Sequence, residues 1–123
     1  MFFSRLALAF ALLWPALTAS AEPIQLVMVE RQGCHYCITW KTRIGPIYPQ
    51  TEAGKFAPLR MVDIADHHPA DLTYNGAVVY TPTFILIDAG REIGRIEGYP
   101  GEDFFWGLLE KLLTDRAGFD LAS

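Results

Sequence analysis

Four short apolar runs and one long amphipathic stretch set the pattern of the chain. The first run, Ile24-Gln25-Leu26-Val27-Met28-Val29, is almost continuously apolar and rich in branched residues. That predicts a central strand covered on both faces. Leu59-Arg60-Met61-Val62-Asp63-Ile64 predicts a second strand and Phe84-Ile85-Leu86-Ile87 a third. Thr81-Pro82-Thr83 opens the third run, and proline is tolerated at the start of a strand. After the tight turn Asp88-Ala89-Gly90-Arg91, residues 92–97 alternate as a half-buried strand does, so the last two strands form a hairpin. The period then changes. Phe105, Leu108, Leu109, Leu112 and Leu113 fall at i, i+3, i+4, i+7 and i+8, an apolar stripe that predicts a terminal helix lying on the sheet. Glu102 and Asp103 put acids at its positive end, Gly118 marks its finish, and the last few residues are expected to fray.

The intervening segments complete an α/β order. Residues 38–44 are compatible with a helix and run into Gly45-Pro46, which ends it. Residues 47–54 predict a short helical turn closed by Gly54, and Trp40, Tyr48 and Phe56 read as aromatics of the core. The connection 65–80 has the length of a crossover between parallel strands, with a short helix expected near 69–74, exposed His67 and His68 before Pro69, and a turn at Asn75-Gly76. The fold class that follows is a β-α-β-α-β-β-α chain, with a central mixed sheet of about four strands flanked by helices.

The amino terminus modifies this picture. Met1-Phe2-Phe3-Ser4-Arg5, an apolar stretch over residues 6–17 and Ala19-Ser20-Ala21 make a basic, an apolar and a small-residue region in succession. They predict a secretory signal peptide, residues 1–21, cleaved after Ala21 for export to an oxidising compartment. An uncleaved anchor is the alternative, although the stretch is interrupted by Pro15 and falls short of the about 20 residues that span a bilayer. The remaining 22–123 is enough for one domain with one core. With Arg5 removed, nine basic side chains face fourteen acidic ones, a balance that argues against a nucleic-acid partner.

The chemistry lies in the only two cysteines, Cys34 and Cys37, which bracket His35 and Tyr36 directly after the first strand. The helix expected over the following residues places Cys34 at its amino terminus, where unpaired N–H groups and the positive end of the dipole favour a thiolate. Cys37 lies one turn inside on the same face. In this reading Cys34 attacks and Cys37 resolves the mixed disulfide. Two other readings compete with it. A structural bridge across so short a loop removes little entropy from the unfolded chain. A zinc site lacks a second cysteine pair, and His67 and His68 are adjacent rather than spaced as ligands, so no metal and no cofactor is expected.

Glu30, four residues before Cys34, stands at the end of a buried strand and can take up the proton that Cys37 must lose; alternatively it is a rim carboxylate paired with Arg31 or solvent. Arg31, His35, Lys41 and Arg43 predict a locally basic rim on an acidic protein. If the Thr81–Pro82 bond is cis, the chain turns sharply into the third strand and offers Thr81 backbone groups to a visiting peptide.

In order, strand, Cys-x-x-Cys at a helix start, strand, crossover, Thr-Pro, hairpin and terminal helix resemble the thioredoxin superfamily over about residues 24–113. The specific marks are Cys34-His35-Tyr36-Cys37, Thr81-Pro82-Thr83 with a family-type cis-proline, and Gly98 after the final strand. The signal peptide, Gly33-Cys34-His35-Tyr36-Cys37 and the stretch Ala57-Pro58 to Ile64 are similar to the small periplasmic thioredoxins of bacterial sulfur-oxidation (Sox) operons, the SoxS type. The resemblance implies a compact thioredoxin-like fold and a monomeric dithiol–disulfide oxidoreductase. Its implied task is to reduce cysteines of periplasmic partner proteins, such as a sulfur-oxidation carrier complex, with electrons from a membrane thiol-reductant relay. It implies Cys34 and Cys37 as the redox-active pair, and Tyr36, Thr81 and Pro82 as substrate-binding residues.

Two departures stand out. Met28 occupies the place where many thioredoxins carry a buried aspartate, which leaves Glu30, water or nothing as the relay. His35 and Tyr36 replace the Gly-Pro of cytosolic thioredoxins, and a protonated His35 would favour the Cys34 thiolate. A disulfide-forming oxidase and a non-catalytic thiol- or metal-binding module, the latter prompted by His35, His67 and His68, are the alternative functions.

Overall fold

The computed structural model describes residues 24–120 together with the lone Pro15, so the expected signal peptide and its cleavage site lie outside the described residues. The elements are β1 (Gln25–Glu30), α1 (His35–Arg43), a 3-10 turn (Tyr48–Gln50), α2 (Glu52–Phe56), β2 (Leu59–Asp63), β3 (Thr83–Asp88), β4 (Arg91–Glu97) and α3 (Glu102–Ala117). The four strands form one mixed sheet in the order β2-β1-β3-β4. β1 is parallel to β2 and antiparallel to β3, and β3 is antiparallel to β4.

The near-continuous apolar runs of β1 and β3 are explained by burial on both sides. Leu26, Met28, Phe84 and Leu86 face a core shared with Trp40, Ile44, Tyr48, Phe105, Leu109 and Leu113. Val27, Val29, Ile85 and Ile87 face a second cluster with Leu72. The three helices therefore pack on one face of the sheet, and the irregular segment 64–80 covers the other.

That segment corrects the expected crossover. No helix forms near 69–74, and β2 and β3 are neither neighbours nor parallel, because β1 stands between them. Thr73 makes a parallel bridge to Arg91, giving a backbone bond to Gly90 and receiving one from Glu92. This extended geometry aims Leu72 and Tyr74 at the same cluster, which a helix at these positions would not do.

The cover is pinned by charge. Glu92 is buried in β4, where its carboxylate accepts from the Asn75 N–H and from the Arg95 guanidinium. Arg95 in turn donates to the Gly76 and Ala77 carbonyl oxygens. His67 and His68 are exposed as expected, and the His68 ring meets the Tyr74 ring edge-on.

Three smaller corrections follow from packing. Gly54 lies inside α2 rather than closing a turn, because α2 begins only at Glu52, capped by the Thr51 hydroxyl. Leu108 is 43% exposed, while Phe105, Leu109 and Leu113 carry the buried stripe of α3. Leu112 instead crosses β4 at Gly94, where its Cδ1 would lie 2.4 Å from a β carbon. Fraying does not begin directly after Gly118, since Phe119 is buried against Phe56 with ring centroids 5.0 Å apart, while residues 121–123, the end of the expected frayed tail, lie outside the described residues.

Candidate active site

The carboxyl end of β1 delivers the chain to a turn in which Gly33 takes φ +73°, a conformation that costs glycine little. Cys34 follows as the residue capping α1, with extended backbone angles, and its Sγ accepts a hydrogen bond from the Cys37 N–H at 3.2 Å. Lys41 and Arg43 occupy the last turn of α1 and its first turn holds no acid, so the dipole is complemented at one end and left to act on sulfur at the other. Both the N–H contact and the dipole favour the ionised form of a reduced Cys34.

Cys34 and Cys37 are joined as a disulfide, with Cα atoms 5.2 Å apart. Cys34 is half-buried and Cys37 only 1% exposed, so a partner can reach the first sulfur and not the second. The environment beneath Cys37 is apolar: it shares its cluster with Met28, Trp40 and Phe84.

Pro82 follows a cis peptide bond and is buried. The Thr81 carbonyl oxygen lies 3.4 Å from the Cys34 Sγ, and the Pro82 carbonyl accepts the Gly98 N–H at 2.7 Å. Gly98 takes φ +84°, which lets the end of β4 turn beside Pro82. The structure thus brings together Cys34, Cys37, Tyr36, Thr81 and Pro82 from the sequence reading. Tyr36 stands 59% exposed beside them. His35 is also exposed, and its ring packs edge-on against that of Tyr36 at 5.6 Å.

Glu30 faces the helices rather than pairing with Arg31. Its Oε2 lies 2.7 Å from Lys41 Nζ. Lys41 is four residues after Cys37, on the same side of α1. This pairing also revises the expected basic rim, since Lys41 is neutralised by Glu30. Among the described residues no three His, Cys, Asp or Glu side chains gather as a metal-ligand set.

Three residues of the site escaped the sequence reading. Tyr80, Glu97 and Tyr99 line a cleft of about 370 Å³ with Tyr36, Thr81 and Gly98. A second cleft of about 460 Å³ shares Tyr36 and Tyr99 with the first and is bounded also by His35, Thr39, Pro100 and Gly101. Partial burial, with the negative charge of Glu102 beside it, pushes the Tyr99 phenol above its ordinary value. The signal for Glu97 was the hairpin register, which pairs it with Thr83; a bulge between Leu86 and Ile87 shifts that register and hides it from simple counting across the turn.

No protein-family model matches the chain, and a search of characterised protein sequences finds no match. Solved structures do match. The reduced form of the periplasmic thioredoxin SoxS from Paracoccus pantotrophus is 44% identical, with a TM-score of 0.72, over 73% of this chain and 95% of that one. Fasciola hepatica thioredoxin matches at 19% identity and TM-score 0.55, over 72% of this chain and 80% of that one. A thioredoxin-fold protein from Helicobacter pylori matches at 23% identity and TM-score 0.51, over 78% and 70%. The latter two speak for the fold alone. Among the described residues no helix is long and apolar enough to cross a membrane.

Proposed function

Since the chain belongs to the thioredoxin superfamily, among the SoxS-type thioredoxins, and is a thiol–disulfide oxidoreductase, we propose that it works in the periplasm as a monomeric dithiol reductase of cysteine-bearing proteins. The observation that carries this reading is the position of Cys34: accessible, at the head of α1, with the Cys37 N–H donating to its sulfur and the Thr81 carbonyl beside it.

In the reduced protein the Cys34 thiolate attacks one sulfur of a partner disulfide, and the partner's other sulfur leaves as a thiolate. Cys37 then loses its proton and attacks the Cys34 sulfur, releasing the partner's second thiolate and leaving Cys34–Cys37 oxidised. Two electrons have passed to the partner, and a dithiol donor returns them, in this reading a membrane thiol-reductant relay. Glu30, fixed by Lys41 on the Cys37 side of α1, accepts the Cys37 proton. Thr81 and Pro82 present the backbone against which an extended partner segment lies.

A Cys37→Ser variant expressed in the native periplasm tests the reading. It is expected to accumulate as a mixed disulfide with its substrate, a carrier of sulfur intermediates on cysteine being the partner class favoured, whereas Cys34→Ser captures nothing. Equal capture by both variants would refute the assignment of roles. Direction is read by equilibrating the pair with glutathione: a potential near about −270 mV supports the reductase and one near about −120 mV a disulfide-forming oxidase.

A further inference from the structure

The cleft between Tyr36 and Tyr80 has a chemistry of its own. Its lining supplies three phenol rings, from Tyr36, Tyr80 and Tyr99, and one acidic side chain, Glu97. Tyr36 and Tyr80 are 59% and 60% exposed, so their rings are available to a visitor. The cleft opens beside Thr81, whose carbonyl lies 3.4 Å from the Cys34 sulfur. Whatever occupies it therefore sits next to the reacting disulfide.

Among the described residues Arg95 is the cation that pairs with Glu97, and its hydrogen bonds are committed elsewhere. Its guanidinium is gripped by Glu92 and by the carbonyl oxygens of Gly76 and Ala77. Its Nη1 reaches Glu97 only at 3.8 Å, beyond hydrogen-bonding distance, and the Glu97 side chain stays 48% exposed. Glu97 therefore lines the cleft as a half-exposed carboxylate whose ion pair with Arg95 is long and shared with Glu92. A carboxylate among aromatic faces attracts a cation twice, by ion pairing and through the ring quadrupoles.

We infer that this cleft recognises a lysine or arginine side chain flanking the reactive cysteine of the substrate, with Glu97 as its counter-charge and Tyr36, Tyr80 and Tyr99 as its walls. The inference rests on the oxidoreductase reading and narrows it to a substrate class: polypeptide disulfides in a cationic context. Glu97 is here a specificity-determining residue, and acidic thiol compounds are disfavoured by the same charge.

The test uses the reduced protein in single turnovers with three short peptides. Each has one cysteine as its mixed disulfide with thionitrobenzoate, flanked on both sides by Lys, by Gln or by Glu. Release of thionitrobenzoate gives the rate, divided by the rate of dithiothreitol with the same peptide to remove intrinsic reactivity. The expected order is Lys over Gln over Glu, with about a three- to tenfold span between the extremes at low salt. The span shrinks toward unity at high ionic strength, where screening takes over. In Glu97→Gln it collapses, and in Glu97→Lys it reverses.

Equal normalised rates for the three peptides in the wild-type protein would overturn the inference, as would a span that Glu97→Gln leaves intact. The salt series needs no variant, so a misfolded substitution does not blunt the test. If the wild-type protein reduces none of the peptides, the oxidoreductase reading itself fails, an outcome distinct from three equal rates.

Discussion

Replacing Gly54 by alanine probes how closely α2 is fitted to the turn beside it. A β carbon built at Gly54 falls 1.8 Å from the Tyr48 carbonyl oxygen and 2.7 Å from its carbon. Both obstacles are main chain, so no rotamer change relieves them. The 3-10 turn would have to withdraw by roughly 1.5 Å to reach ordinary contact distance. Tyr48 resists that movement: its hydroxyl donates to the Ala57 carbonyl at 2.6 Å, and its ring packs on Trp106 and Trp40 with centroids 6.2 and 6.1 Å away.

Overpacking costs about 1–3 kcal/mol, and a backbone clash belongs at the upper end. Alanine recovers up to about 1 kcal/mol in helix propensity. A net loss of about 2 kcal/mol, or a fall in Tm of about 8–16 °C, is expected. Urea denaturation of the oxidised protein followed by tryptophan fluorescence measures it. Gly94→Ala is the comparison, because its β carbon clashes only with Leu112 Cδ1, the end of a flexible side chain, the Leu112 and Arg116 Cγ atoms standing at an ordinary 3.7 Å; it should cost under about 1 kcal/mol. A Gly54→Ala protein within about 0.5 kcal/mol of wild type, or one more stable than Gly94→Ala, would refute the reasoning.

Glu92→Ala leaves the Arg95 guanidinium and the Asn75 N–H without their carboxylate, and should cost about 2–4 kcal/mol and speed amide exchange over residues 73–80; unchanged exchange there would contradict the clamp. Glu30→Gln should slow release of the mixed disulfide by about tenfold or more in single turnovers while sparing its formation; equal release rates would make Glu30 a rim ion pair only. The Arg60 guanidinium, hydrogen-bonded at 2.7 and 3.0 Å, holds the Asp71 carboxyl below the usual carboxylate range. The pair therefore stabilises the fold at neutral pH, and that contribution is lost as the pH falls through the lowered Asp71 value. Carboxylate NMR titration should show Asp71 returning to the ordinary range in Arg60→Gln.

The sulfur chemistry was legible because it is local. Cys34, Cys37 and the helix behind them lie within one short stretch, and spacing alone sets which sulfur is outside. The four strands were legible from their apolar runs for the same reason. The cleft was not, because Tyr36, Tyr80 and Glu97 come from three segments brought together by sheet order and by a bulged hairpin. The burial of Glu92 was hidden for another reason: nothing in an alternating run marks its opening glutamate as covered, and only the chain folded over β4 buries it. The missing helix near 69–74 has a related cause. Leu72, Tyr74 and Val78 satisfy the back of the sheet in extended form, and nothing local to those residues announces which surface they will cover.

The strip from Leu72 to Pro82 is at once the lining of the back of the sheet and the sill of the reactive cleft. Lengthening or trimming it to suit a new partner would disturb the fit behind β1 and β3 and move the Thr81 carbonyl relative to Cys34 in the same stroke. Diversification of this scaffold is thereby steered away from loop remodelling. Point changes at Tyr36 and Glu97, which sit at the ends of regular elements, can retune the choice of client while the frame stays as it is.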